Sequence, residues 1–152
     1  MKERDGEPWM AADAYGRSLT GMGVNLLVRD VARALGFLTE VLGLETVYAD
    51  TDFAVLRYGN GERGSQDIIL HADHTYGDHP LLALTGDGAL RGAGVELRLY
   101  GLDPDVAEAR ARARGDTVFA ESQDKPHGLR ECYLADPDGY IWVPSIGIGG
   151  EG

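Results

Sequence analysis

The feature that most constrains the fold is an internal repeat, because two segments of the chain recur later at one fixed separation. Residues 21–28 read GMGVNLLV, and residues 92–99 read GAGVELRL. Residues 45–50 read ETVYAD and residues 116–121 read DTVFAE, so both pairs are 71 residues apart. One separation shared by two independent pairs indicates a duplicated structural unit.

Each copy begins with a strand and continues into a helix. Apolar residues alternate over 24–28 and again over 95–99, which predicts strands with one buried face. Asp30 is placed to cap a first helix that has apolar residues at helical spacing over 31–42. Asp103 is the expected cap of the second helix, with Pro104 at the favoured first helical position.

The rest of each copy predicts three further strands. A glycine, Gly43 or Gly115, follows each helix and precedes the β-rich ETVYAD or DTVFAE run. Two more strands follow in each copy, joined by turns rich in Gly, Asn and Asp. These strands are 53–58 and 67–71 in the first copy, and 129–134 and 140–143 in the second. The order is therefore βαβββ twice, which predicts an α+β fold.

The chain of 152 residues is the size of one domain. We predict that this domain covers 21–148, with module one at 21–76 and module two at 92–148. Residues 77–91 contain Pro80 and three glycines and are interpreted as the linker. Residues 1–20 are interpreted as an N-terminal arm.

The charge and the termini exclude several classes of partner. A net charge of -11 repels nucleic acid and anionic membranes, favours cationic small molecules, and also keeps a protein soluble. The single cysteine, Cys132, cannot form an internal disulfide. The charged N-terminus does not resemble a signal peptide, and no apolar run approaches the roughly 20 residues of a membrane span. A cytoplasmic location is expected.

Several motifs in the two copies resemble those of the vicinal oxygen chelate (glyoxalase/bleomycin-resistance/dioxygenase) superfamily. They are Val28–Val31, Phe37–Leu38 and Val41–Leu44 in the first copy, and Gly128–Glu131 and Asp136–Tyr140 in the second. The resemblance implies that two modules form a curved half-barrel around a cavity, with helices on the outer face. It also implies a homodimer with two-fold symmetry, in which each cavity draws residues from both chains.

The same resemblance implies where metal ligands would stand, and these positions lack metal-binding side chains. The matching residues are Gly23, Ile69 and Val143. For the fourth position, counting from the helix cap gives Glu96, whereas the repeat gives Gly94. One carboxylate does not make a chelate, so we predict no catalytic metal in the usual place. A relocated divalent-metal site using His71 and Glu96 is the alternative.

Strand alternation then predicts which side chains face the cavity. The opposite face, which includes Val24 and Trp142, is expected to pack beneath the helices. The cavity face mixes apolar and polar groups, which suits a small organic ligand. The predicted ligand-binding residues are Asn25, Leu27, Ile69, His71, Glu96, Arg98, Tyr100, Ile141, Val143 and Ser145.

Three functions remain open from the sequence. The first is a metal-independent protein that binds a small, cationic or aromatic compound and sequesters it, as antibiotic-resistance members of the family do. The second is a metal-dependent lyase, isomerase or ring-cleaving dioxygenase. The third is a metal-free enzyme in which Glu96, with a raised pKa, acts as general base. No catalytic residue is assigned, and neither the ligand nor the oligomeric state follows from the sequence itself.

Overall fold

The structure is a computed structural model that describes residues 9–59, 66–75, 79–86, 88 and 90–149. The chain divides into two compact units. The first contains the chain up to Arg33 and the segment Leu44–Leu82, and the second contains Ala34–Gly43 and the chain from Ala83 onward. The boundary falls within one helix, α2 (Val31–Glu40).

The first unit contains a four-stranded sheet in the order β1-β4-β3-β2. Its strands are β1 (Val24–Val28), β2 (Glu45–Ala49), β3 (Phe53–Tyr58) and β4 (Gln66–Ala72). β1 pairs with β4 in parallel, and the other neighbours are antiparallel. One side of this sheet is almost wholly apolar, and Ala54, Leu56 and Leu70 are fully buried there.

The second unit repeats this arrangement, in the order β5-β8-β7-β6. Its strands are β5 (Glu96–Tyr100), β6 (Thr117–Asp124), β7 (Leu129–Ala135) and β8 (Ile141–Gly147). The β5–β8 pair is parallel, as is the β1–β4 pair of the first sheet. The α+β class and the predicted βαβββ order are confirmed in both copies.

Helix α3 (Pro104–Arg114) packs against β6, β7 and β8 of the second unit. Its buried residues are Pro104, Ala107 and Ala111, so a stripe of small side chains lets the helix lie close to the sheet. Cys132 lies beneath it, 3.5 Å from the Pro104 carbonyl oxygen, and burial raises the pKa of its thiol to about 11. Cys132 is thus a packing residue, as its apolar surroundings in the sequence indicate.

The predicted helix starts are confirmed by capping hydrogen bonds. The Asp103 carboxylate accepts from the backbone N–H groups of Asp105 (2.9 Å) and Val106 (3.4 Å). The Asp30 carboxylate accepts from the N–H of Arg33 at 3.0 Å. Gly115 ends α3 with a φ of 80°, a left-handed conformation that glycine adopts without strain. No helix of the described chain is long and apolar enough to cross a membrane.

Some local features differ from the sequence predictions. A seven-residue helix, α1 (Ala12–Ser18), lies in the stretch interpreted as an arm. β5 begins at Glu96, so Val95, expected to be buried, precedes the strand and is 54% exposed. The linker stretch contains a short 3-10 helix, Pro80–Leu84. The predicted turn at 59–61 lies mostly outside the described residues, as do positions 77, 78, 87 and 89 of the linker.

Candidate functional site

One face of the first sheet, here called the first face, holds the predicted ligand-binding residues of module one. Residues paired directly across neighbouring strands point to the same side of a sheet. Asn25 pairs with Ile69, and Leu27 pairs with His71. The register with β3 adds four residues to this face: Phe53, Val55, Arg57 and Asp67.

Helix α1 packs onto the first face through Tyr15. The Tyr15 ring is 9% exposed and forms a buried cluster with Phe53, Val55 and Ile69. Its hydroxyl donates a hydrogen bond to Asp67 Oδ2 at 2.9 Å. Seven residues are too few to form a stable isolated helix, and α1 has no side-chain N-cap. The position of α1 therefore depends on these contacts with the sheet.

Asp67 also forms a two-point ion pair with Arg57. Arg57 Nε lies 2.8 Å from Oδ1, and Nη2 lies 3.2 Å from Oδ2. The hydrogen bond from Arg57 holds the pKa of Asp67 below its usual value. Burial and the neighbouring carboxylate raise the pKa of Tyr15 to about 12. At neutral pH a charged pair and a neutral phenol therefore lie at this edge of the face.

A pocket of about 460 Å³ lies between α1, the residues that follow it and the first sheet. Asn25 and Ile69 are the two predicted ligand-binding residues that line it. The sheet also contributes Val24, Arg57, Gln66 and Asp67 to the lining. The N-terminal segment contributes Trp9, Met10, Tyr15, Ser18, Leu19, Thr20, Gly21, Met22 and Gly23.

The other two predicted residues of module one lie further along the first face. The Leu27 side chain is only 5% exposed and belongs to the core. The half-buried His71 ring has its centroid 5.2 Å from that of Phe53. Neither residue lines the pocket. On β1 and β4, the described pocket lining reaches only as far as Asn25 and Ile69.

The corresponding side of the second sheet, the second face, holds the predicted residues of module two. The register pairs Glu96 with Ile141, Arg98 with Val143, and Tyr100 with Ser145. Val143 and Ser145 are fully buried and Ile141 is partly buried, so these three form the floor of the face. Glu96 and Tyr100 are exposed, and the Arg98 guanidinium lies 5.6 Å from the centroid of the Tyr100 ring.

A polar network connects two strands of the second face, β5 and β7, and the turn that precedes β7. Arg98 Nη1 is 3.0 Å from Glu96 Oε2, and Nη2 contacts Oε2 of Glu131, whose side chain is 3% exposed. Tyr133 donates a hydrogen bond to Glu96 Oε1 at 2.7 Å. His127 Nε2 lies 3.4 Å from Glu131 Oε2. Every charge that this network brings close to the face thus has a partner of opposite sign or a hydrogen-bond donor.

The network determines the protonation of its carboxylates. Hydrogen bonds from Tyr133 and Arg98 hold the pKa of Glu96 below its usual value. Burial, the largest single influence, raises the pKa of Glu131, but the hydrogen bonds and charges of Arg98 and His127 together outweigh it, so the net direction is downward. The expectation of a raised pKa at Glu96 is therefore wrong, because a phenol and a guanidinium stabilise its charged form. A general base at this position would be weak.

Comparison with known proteins places the chain in a family. A profile of the Glyoxalase/Bleomycin resistance protein/Dioxygenase superfamily matches residues 23–143. The chain belongs to this superfamily. No curated protein matches the sequence. Members of the superfamily generally bind small-molecule ligands and often form dimers.

Several solved structures share the fold at low sequence identity. A glyoxalase-related enzyme from Fulvimarina pelagi is 20% identical, with a TM-score of 0.63 over 88% of this chain and 96% of that one. A family enzyme from Burkholderia phytofirmans PsJN is 17% identical, with a TM-score of 0.64 over 82% and 96% of the two chains. TioX from Micromonospora sp. ML1 is 23% identical, with a TM-score of 0.57 over 85% and 99%.

The residues at the implied ligand positions do not fit a divalent metal. In the register, Ile69 pairs with Asn25 and Val143 pairs with Arg98. In the first module, the implied ligand position Gly23 lies two residues before Asn25, the partner of Ile69. In the second module, the residue two before Arg98, the partner of Val143, is Glu96. The register therefore favours Glu96 over Gly94 for the fourth position. Its carboxylate is already bonded to Tyr133 and Arg98. In the described ranges, no three His, Cys, Asp or Glu side chains are grouped closely enough to hold a metal ion.

Four residues on the two faces are absent from the predicted ligand-binding residues. Arg57 and Asp67 on the first face, and Glu131 and Tyr133 on the second, follow from the same period of two that located Asn25 and Arg98. Asp67 lies on β4, two residues before Ile69, and the same alternation on β3 and β7 indicates Arg57, Glu131 and Tyr133. Trp9 and Tyr15 gave no comparable signal, because their role depends on how α1 docks.

Proposed function

We propose that this protein binds a small organic ligand in the first-face pocket and holds it with its own side chains, without a catalytic metal. The observation that supports this most strongly is the pocket itself. Its volume of about 460 Å³ lies within the range of small-molecule sites, roughly 300–1,000 Å³. It also lies on the face where the sequence places Asn25 and Ile69.

The chemistry around the pocket favours a ligand that is aromatic, cationic or both. Trp9 and Tyr15 supply aromatic surface beside polar groups of Asn25 and the Arg57–Asp67 pair. The net charge of -11 attracts cations to the protein as a whole. We propose sequestration of an antibiotic-like compound, a role that needs affinity and stoichiometry but no catalytic group.

The second face is proposed as a further ligand-contact surface. Tyr100 is 62% exposed, and the carboxylate of Glu96 is ionised at neutral pH, so the two together suit a cationic group. Ile141, Val143 and Ser145 would form its floor.

We also propose a homodimer, as is frequent in the superfamily. Sedimentation equilibrium at several concentrations tests it, and the mass of a 16.3 kDa monomer at every concentration would contradict the dimer.

A thermal-shift screen against cationic and aromatic antibiotics tests the proposed function. Saturation at about 100 Kd stabilises a fold by about 2.7 kcal/mol. For a domain of this length that corresponds to a Tm rise of roughly 5–10 °C. Asn25→Trp fills the pocket from an exposed position, so it should abolish the shift. Thr46→Trp, on an exposed site of the same sheet but off the first face, is the matched control and should retain it.

Two outcomes would overturn the proposal. One is the absence of any shift across the screen, and the other is an equal shift in wild type and Asn25→Trp. Elemental analysis of protein purified without chelators separates the metal-dependent enzyme from the binding protein. One equivalent of a transition metal per chain would favour the lyase, isomerase or dioxygenase.

A further inference from the structure

One wall of the first-face pocket is built by residues that precede the family region. The superfamily match begins at residue 23. More than half of the residues lining the pocket lie before or at that position, from Trp9 to Gly23. The sheet alone would present an open surface, and the pocket exists because this N-terminal segment lies against it.

Trp9 is the largest side chain of that wall, and its position is fixed by two aromatic contacts. Its ring centroid lies 5.1 Å from that of Tyr15 in an edge-to-face arrangement, and 5.3 Å from that of Tyr48 at 31°. Tyr48 in turn lies 6.2 Å from Phe53, a core residue of the first face. The residue nevertheless remains 42% exposed. An indole held on two sides and open on the rest is a preformed surface for another ring.

Tyr15 fixes the segment from the other side. Its hydroxyl is bonded to Asp67, and Asp67 is held by Arg57. The segment is therefore attached to the sheet by a buried ring and a polar anchor. Tyr15 is a positioning residue, whereas Trp9 offers the free surface.

We propose that the N-terminal segment Trp9–Gly23 is a specificity element of the ligand site, and that stacking on Trp9 selects ligands with a planar aromatic ring. This inference rests on the proposed function and deepens it, because it assigns the ligand class to one side chain. A sheet face without the segment would bind by charge and apolar area, with no preference for planar rings.

The test compares two cations of equal charge by calorimetric titration in EDTA: N-methylacridinium, which is planar and aromatic, and tetraethylammonium, which is not. Wild type should bind N-methylacridinium at least about tenfold more tightly. Trp9→Ala should weaken N-methylacridinium about tenfold or more and leave tetraethylammonium unchanged, and Trp9→Phe should fall between. Phe119→Ala, which removes another exposed aromatic ring outside the pocket, is the matched control and should bind as wild type does.

Fluorescence gives an independent readout, because the chain has two tryptophans and the other, Trp142, is 1% exposed. N-methylacridinium should quench the Trp9 emission in wild type, and Trp9→Phe should remove that quenching.

The outcomes separate the two claims. Equal affinities in wild type and Trp9→Ala, with loss in Asn25→Trp, would overturn the role of the segment and leave the proposed function intact. An equal loss of affinity for both cations in Trp9→Ala would also overturn the claim that Trp9 selects planar aromatic ligands. No binding of either cation to wild type would overturn both claims.

Discussion

Replacing Arg98 by Met should leave the Glu131 carboxylate charged in a place where water cannot reach it. The Glu131 side chain is 3% exposed, and Arg98 is the only arginine or lysine paired with it among the described residues. Breaking a buried pair on one side costs about 3–5 kcal/mol. Arg98 is itself 20% exposed, and Tyr133 and His127 remain 3.4 Å from the carboxylate. We therefore expect a loss of about 2–3 kcal/mol at pH 7.

The pH dependence of that loss has a defined sign. In wild type the folded pKa of Glu131 is lowered, so its stabilising contribution is present above the unfolded pKa of about 4.3 and is lost as the pH falls. Without Arg98, burial is the larger influence and the carboxyl protonates more readily. The penalty of Arg98→Met should therefore be smaller at pH 4.5 than at pH 7.

Urea denaturation followed by the fluorescence of Trp142, with Trp9→Phe as the common background, measures this penalty in the same sheet. Glu131→Gln alone should cost about 1 kcal/mol, since the amide oxygen still accepts from Arg98. The double variant, Arg98→Met with Glu131→Gln, should lose less stability than the sum of the two single penalties, by about 1 kcal/mol or more. An Arg98→Met penalty below about 0.5 kcal/mol that is equal at both pH values would refute the buried pair.

Three smaller changes test other parts of the structure. Tyr15→Phe removes the bond to Asp67, should cost about 1 kcal/mol, and should raise deuterium uptake in peptides covering α1; unchanged uptake would contradict the anchor. Asp103→Ala should cost about 1 kcal/mol in thermal denaturation, whereas Asp103→Asn should be near wild type. Burial raises the folded pKa of Asp136 to about 6. The protonated carboxyl therefore adds to the free energy of unfolding in full below about pH 4, and this stabilisation is lost as the pH rises through 6. The stability of wild type relative to Asp136→Asn should therefore fall by about 2–3 kcal/mol from pH 4 to pH 6.5, and a constant difference would refute the raised pKa.

The fold was predictable because each copy contains strong local signals that agree with one another. The helix caps at Asp30 and Asp103, the alternation in β1 and the repeated β-rich runs all point to the same topology. The predicted strand Phe53–Tyr58 has the observed bounds. The 71-residue repeat matches Asn25 with Glu96, whereas the strand partners of Ile69 and Val143, two positions that the resemblance matches, are Asn25 and Arg98.

The candidate site was predictable only where it depends on strand alternation. Alternation located Asn25 and Ile69 but says nothing about depth, so Val143 and Ser145 appear as floor rather than as exposed contacts. Helix α1 was missed because it is short, contains Gly16 and lacks a side-chain cap. It forms through tertiary contacts of Tyr15, which a local pattern does not contain.

The central claim is that side chains of the first face, with the N-terminal segment, hold an organic ligand directly and need no metal ion. Native mass spectrometry of protein purified without chelators, before and after addition of N-methylacridinium, tests it most directly. We expect no stoichiometric transition metal and the addition of one N-methylacridinium per chain, lost in Asn25→Trp. A peak with one zinc, nickel, manganese or iron ion per chain, or no adduct of the added cation, would contradict the claim.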